Sequence, residues 1–171
     1  MEPILSFRDF SFRYENQANP TIKNINLDIY PNEKVLILGP SGSGKSTLGR
    51  CMNGLIPNVF GGEISGEAVV FGEPFTEHSI TSLSEEIGTV LQDTSAQFVG
   101  LTVAEDVAFL LENDSIENKV MHQKVHEWSE RMDLAELLEL SPQDLSGGQK
   151  QRVSVSGVLI GSQMFYYLMS L

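Results

Sequence analysis

Apolar and polar residues alternate through Phe10-Ser11-Phe12-Arg13-Tyr14 and again through Ile25-Asn26-Leu27-Asp28-Ile29. Alternation of period two turns one row of side chains inward and the other outward, so both stretches predict half-buried strands. A polar stretch at 15–20 turns the chain between them. Pro31-Asn32-Glu33 turns it again into Lys34-Val35-Leu36-Ile37-Leu38, a short apolar run that predicts a buried strand. Ser46 to Met52 predicts a helix closed by Gly54. Beyond Pro57 and a loop holding Gly61, Gly62 and Gly66, the run Glu67 to Gly72 predicts another strand. Ser79 to Glu86 predicts a short helix, and Ile87 to Leu91 a buried strand ending at Gln92-Asp93.

From Thr102 the period becomes helical. Thr102-Val103-Ala104-Glu105 has capping-box spacing, and Val103, Val107 and Leu110 share one face. Met121, Val125, Trp128 and Met132 form the apolar stripe of a second helix, from about Glu117 to Met132, and read as core packing. Leu134, Leu137 and Leu138 suggest a short third helix stopped by Ser141-Pro142. Val153, Val155, Val158 and Leu159 mark a last helix, with Ser146 as its natural N-cap.

Between the run at 34–38 and the helix at 46–52 lies Gly39-Pro40-Ser41-Gly42-Ser43-Gly44-Lys45-Ser46-Thr47, which fits G-x-x-x-x-G-K-[ST]. Strand, glycine loop and helix together suit a phosphate. Glycines let successive N–H groups curl around phosphate oxygens, and the helix points its positive end at the same anion. Lys45 would reach the β- and γ-phosphates, and the Ser46 hydroxyl would sit on Mg²⁺. Tyr14, ending its strand, would stack on a nucleobase or be simply the strand's last core-facing residue. Gln92, leaving a strand's C-terminal end, would contact Mg²⁺ or water, or be a plain strand-ending polar residue.

A second anion site is suggested at Ser146-Gly147-Gly148-Gln149, where two glycines follow a serine at a helix start. With a helical subdomain between the two sites, both are not easily placed on one phosphate within one chain. A head-to-tail dimer would solve this, one chain's loop facing the other's serine-glycine cap.

Charge narrows the partners. The net charge is −12 and the pI about 4.5, whereas a phosphate backbone calls for a basic face, so nucleic acid is not expected as a partner. Between Leu101 and Leu140 ten acidic residues face three basic ones, the pattern of a solvated helical subdomain. Cys51 is the only cysteine, which suits a reducing compartment and excludes a disulfide framework. His122 and His126 lie four apart on a predicted helix and read as a solvent-facing pair. Met1-Glu2-Pro3 opens no signal peptide, and no run reaches the roughly 18 apolar residues a membrane helix needs. A role at a membrane would therefore work through a partner.

These motifs, in this order, resemble the nucleotide-binding subunit of an ABC transporter. Walker A is Gly39 to Thr47, the Q-loop glutamine is Gln92 and the signature is Leu145-Ser146-Gly147-Gly148-Gln149. Two stretches, Gln92 to Phe98 and Thr102 to Phe109, are similar to the energy-coupling factor (ECF) group of importers for vitamins and metal ions. The resemblance implies an α/β P-loop NTPase of ABC type with N-terminal antiparallel strands, a parallel core sheet, incomplete here, and an α-helical subdomain. Residues 1–160 would form the N-terminal part of the ATPase domain, about 93–145 its helical subdomain, and 161–171 a tail outside the family pattern. It implies ATP and Mg²⁺ as cofactors, Tyr14 against the adenine, and Ser46 and Gln92 on the metal. Lys45 and Gln92 would serve the chemistry, and Ser146 to Gln149 would close on nucleotide across a dimer. It also implies two partners, a second ABC ATPase subunit (identical or different) and an integral membrane transporter subunit. The chain would sit peripherally on the cytoplasmic face of the membrane and, by family, hydrolyse ATP to drive solute uptake.

The sequence departs from that pattern after Ile160. The family continues into a strand ending in Asp-Glu and a later histidine. Here Asp144 is the last acidic residue and His126 the last histidine. The Mg²⁺ aspartate, the general base and the switch histidine are thus missing, which suggests a truncated or frameshifted copy. Losing one catalytic group commonly costs roughly two or more orders of magnitude in rate. A second expectation is accordingly a binding-only module or remnant. A third, a soluble ABC ATPase acting on nucleic acid or ribosomes, is disfavoured by the acidic pI. Strands at 35–38 and 87–91 are expected to lose neighbours. Met164 to Met169 is apolar enough for a strand, and 164–171 reads as an aggregation-prone tail.

Overall fold

The alternation at Phe10–Tyr14 is the end of a longer strand, β1 (Leu5–Tyr14). Leu5, Phe7, Phe10 and Phe12 are all buried, so the inward row skips one position between Phe7 and Phe10. A register shift there, with Asp9 at φ 45°, absorbs the extra residue. That bulge hides the first half of the strand from a period-two search. Gly66 lies against it at φ +81°, where a Cβ would come within 2.4 Å of the Asp9 carbonyl oxygen. Only glycine fits.

The protein is described here by a computed structural model covering residues 2–91, 97–161 and 163–168, and it divides into two units, Met1–Glu85 and Glu86–Leu171. In the first, β1 is flanked by antiparallel partners β2 (Ile22–Ile29) and β3 (Gly62–Val70). The short β4 (Glu73–Pro74) follows β3 at the edge, giving the order β2-β1-β3-β4. Leu5 faces Ile29 on one side and Val70 on the other. The aromatic core closes with Phe7 on Phe10 at 4.8 Å and Phe10 edge-on to Phe75 at 6.1 Å. Helices α1 (Lys45–Met52), the single turn α2 (Leu55–Asn58) and α3 (Ile80–Glu86) bury Leu48, Cys51, Met52, Ile56 and Leu83. The expected helix at 46–52 and its stop are present, with Gly54 left-handed at φ +75°.

The expected strand at 34–38 is not formed. Residues 33–40 have no regular structure, and Leu36 and Leu38 are 79% and 80% exposed. Apolar residues alone do not make a strand; backbone N–H and C=O groups need a paired neighbour. Among the described residues no strand pairs with this run.

In the second unit β5 (Ile87–Val90) pairs in parallel with β6 (Phe165–Leu168), Ile87 opposite Phe165 and Val90 opposite Leu168. The expected strand within 164–169 is thus present at 165–168, and β5 has one neighbour while no second strand pairs with its other edge among the described residues. The Gln97 amide extends the end of β5, accepting from the Leu91 N–H at 3.0 Å and donating to the Thr89 carbonyl at 3.5 Å. Helices α4 (Val103–Asn113), α5 (Asn118–Arg131) and α6 (Gly147–Leu159) enclose a core of Val103, Val107, Leu111, Val125, Leu134 and Val153. Met121, Trp128 and Met132 pack against it, which makes the predicted stripe core. The Thr102–Glu105 capping box is complete, each backbone N–H bonded at 3.2 Å by the other's side chain. The third helix is reduced to a 3-10 turn at Ala135–Leu137, followed by another at Pro142–Asp144.

Candidate functional site

The glycine loop ends where the chain must turn into α1. Gly42 and Gly44 stand at φ +78° and +91°, left-handed conformations that glycine adopts without strain. Gly44 is also pressed on the end of β2: a Cβ there would lie 2.7 Å from Ile22 Cγ2 and 2.9 Å from the Thr21 carbonyl oxygen. One hydrogen bond, from the Ser43 N–H to the Pro40 carbonyl at 3.2 Å, folds the loop on itself. The Lys45 ammonium donates to the Gly39 and Pro40 carbonyls, both at 2.8 Å, so it arches back across the loop it leaves. Gly39, Pro40, Ser41, Gly42 and Ser43 are exposed; Gly44, Lys45 and Ser46 are half-buried and Thr47 buried.

No side chain caps the N-terminus of α1. A helix start leaves its first N–H groups without intrahelical partners and carries a partial positive charge. With the loop N–H groups and the lysine beside them, this arrangement fits the phosphates of a nucleotide. For the metal the fit is narrower. Ser46 and Thr47 are the hydroxyls in the first turn of α1, Ser46 the less buried, and among the described residues no group of three or more His, Cys, Asp or Glu is placed to hold an ion. Mg²⁺ would there rest on Ser46 and on phosphate oxygens, an arrangement this ion commonly accepts. His122 and His126 are both exposed, and His126 lies 3.7 Å from Glu130.

Tyr14 comes to the same place from β1. Its hydroxyl lies 3.2 Å from Thr47 Oγ1 and accepts a hydrogen bond from Arg50 Nη1 at 3.1 Å. Its ring packs edge-on to Phe12 at 4.8 Å. The strand-end aromatic and the glycine loop, read separately along the chain, are therefore one constellation. Arg50 escapes sequence reasoning altogether. It is merely a basic residue in the last turn of a helix, a common preference at that end.

In the second unit Ser146 caps α6. Its Oγ accepts from the Gln149 N–H at 3.4 Å, and Gln149 Oε1 accepts from the Ser146 N–H at 2.9 Å. The spacing S-x-x-Q signals this box in the sequence. Gln149 is thus turned back onto the helix start. Ser146, Gly147 and Gly148 are exposed, and open space surrounds both glycines. The serine accepts in the cap and keeps its own O–H to donate outward. Behind it Leu145 is buried in the helical core, and Arg152 Nη1 donates to the Met132 carbonyl at 3.1 Å, tying α6 to the end of α5. Gln92 lies outside the described residues.

Comparison with known proteins bears on this arrangement. Residues 22–168 match the family model described as ABC transporter. A Lactiplantibacillus plantarum protein named "Putative ABC transporter ATP-binding protein" is 60% identical over 158 residues, covering 92% of this chain and 28% of its own length. An Enterococcus faecalis protein of the same name is 60% identical over 159 residues, again 28% of its length. The chain thus spans under a third of these relatives. Among solved structures, CbiO1 from Clostridium perfringens, described as part of the ABC transporter complex CbiONQ, superposes with a TM-score of 0.84 at 29% identity. It covers 98% of this chain and 65% of its own.

Proposed function

We propose, because this chain belongs to the ABC transporter family, that it is the ATP-binding subunit of an ECF-type importer. The fold is the P-loop NTPase of ABC type, and the family is one of ATP hydrolases. The observation that carries the reading is the glycine loop: left-handed glycines, an uncapped helix start and the Lys45 ammonium converge on one exposed place. The ECF assignment rests on the likeness to CbiO1 and on the stretches around Gln92 and Thr102.

Gly39 to Gly44 offer N–H groups to phosphate oxygens, and Lys45 moves from its own loop carbonyls to the β- and γ-phosphates. Ser46 and Gln92 would hold Mg²⁺, which would supply positive charge against the charge developing on the transferred phosphoryl group. Tyr14 stacks on the adenine. Ser146, Gly147, Gly148 and Gln149 present the α6 start to the phosphate held by a second ATPase subunit, identical or different. The segment at about 93–145 serves as the helical subdomain that engages an integral membrane subunit through the region of Gln92. The chain then works on the cytoplasmic face of the membrane, peripherally; none of its described helices is long and apolar enough to cross.

Lys45→Ala is expected to abolish binding of a labelled ATP analogue; equal affinity in wild type and variant refutes the site. A second reading, binding without turnover, is favoured by β6. This strand, the parallel partner of β5, is Phe-Tyr-Tyr-Leu and carries no carboxylate to serve as general base. Phosphate release with Mg²⁺ separates the two: steady turnover above background excludes the binding-only reading.

A further inference from the structure

We propose that Arg50 is a positioning residue that sets the Tyr14 ring for the nucleobase, itself held in place by Phe60. The proposal rests on the reading of Tyr14 as the base-stacking residue.

Tyr14 is pinned at both ends. Its ring meets Phe12, which is fully buried, at an interplanar angle of 81°. Its hydroxyl lies between Thr47 and Arg50 on α1. A phenol has one O–H to donate and lone pairs to accept with, and a guanidinium only donates. The Tyr14 oxygen therefore accepts from Arg50, and the Tyr14 and Thr47 hydroxyls share a second hydrogen bond that either can donate. This fixes the ring about both side-chain torsions, and an aromatic ordered beforehand loses less entropy when a ligand stacks on it.

Arg50 is held in turn. Its guanidinium carbon sits 4.4 Å from the centroid of the Phe60 ring, within the range where a cation is attracted to an aromatic face. Among the described residues its partners are a phenol and a ring, and no carboxylate is paired with it. An arginine that served only to neutralise a neighbouring acid would have one. The chain of contacts runs Phe60, Arg50, Tyr14, Thr47, and its last member belongs to the glycine-loop motif.

The test is calorimetric titration of the full chain with ATP and, separately, with inorganic tripolyphosphate, which has phosphates but no base. Arg50→Met and Tyr14→Phe should each weaken ATP by about tenfold, the loss a hydrogen bond to a charged group carries. Neither should move tripolyphosphate by more than about twofold, since only the base end is disturbed. The double variant should be no weaker than either single one, as expected for two partners of one interaction. A loss in Arg50→Met that is equal for ATP and tripolyphosphate overturns the proposal, because the arginine then acts on phosphate or on the fold. Unchanged ATP affinity in Arg50→Met overturns it alone if Tyr14→Ala still weakens ATP. If Tyr14→Ala leaves ATP affinity unchanged, the base-stacking reading fails and the proposal with it.

Discussion

At the scale of single residues, Cys51 shows how burial writes a pH dependence. Its side chain is wholly buried in α1, and burial pushes the thiol from 9.0 up to about 12. The raised value means the folded chain holds this proton where the unfolded chain has lost it. Stability from the protonated thiol is therefore fully present below pH 9 and declines as pH rises from 9 towards 12. Denaturant midpoints measured across that window should fall with pH, and Cys51→Ala should remove part of the slope. The native thiol should also resist an alkylating reagent that modifies the unfolded chain at once, because the thiolate is the nucleophile. Residue-level legibility followed a related logic. Lys45 and Ser146 are readable because their roles depend on backbone a few residues away. The Arg50–Tyr14 contact is not, since 36 positions separate the partners and only the packing of α1 beside β1 brings them together.

At the scale of elements, caps were the most legible feature and strand pairing the least. The Thr102–Glu105 box and the Ser146 cap are local chemistry: a hydroxyl or carboxylate meets an N–H three residues away. Thr102→Ala should destabilise the chain by about 1 kcal/mol in a urea titration, the usual value of an N-cap. Thr102→Ser should restore most of it, and Glu105→Gln should be nearly neutral, because glutamine also serves in a capping box. A loss from Glu105→Gln as large as from Thr102→Ala would show that charge at the helix start, not the box, stabilises α4. Strands differ because half of each lies elsewhere in the chain. The runs at 34–38 and 165–168 are both short and largely apolar, yet among the described residues only the second finds a partner, in β5. The bulge at Asp9 concealed half of β1 for the same reason: it answers to Gly66 on the neighbouring strand, not to its own neighbours.

At the scale of the molecule, the glycine loop belongs to the first unit and the serine-glycine cap to the second. Each lies at a helix start, and the proposed function places them on the same nucleotide only across two chains. This arrangement has a consequence that a single-chain site does not share. In a head-to-tail pair, each nucleotide is held by Lys45 of one chain and Ser146 of the other. Lys45→Ala and Ser146→Arg should each abolish ATP-driven association in sedimentation velocity, since either lesion damages both sites of a homodimer. Mixed in equal amounts, the two variants regain one intact site, made by the loop of the Ser146→Arg chain and the cap of the Lys45→Ala chain. Association on adding ATP should then return in the mixture, and both variants should sediment in the faster species. If the cap acted on the loop of its own chain, every chain in the mixture would still carry a broken site and no association would return. Ser146→Arg should meanwhile bind a labelled ATP analogue as the wild type does, because Lys45 and its loop are untouched. A loss of that binding would place Ser146 in the first grip on nucleotide and refute its assignment to the closure of two chains.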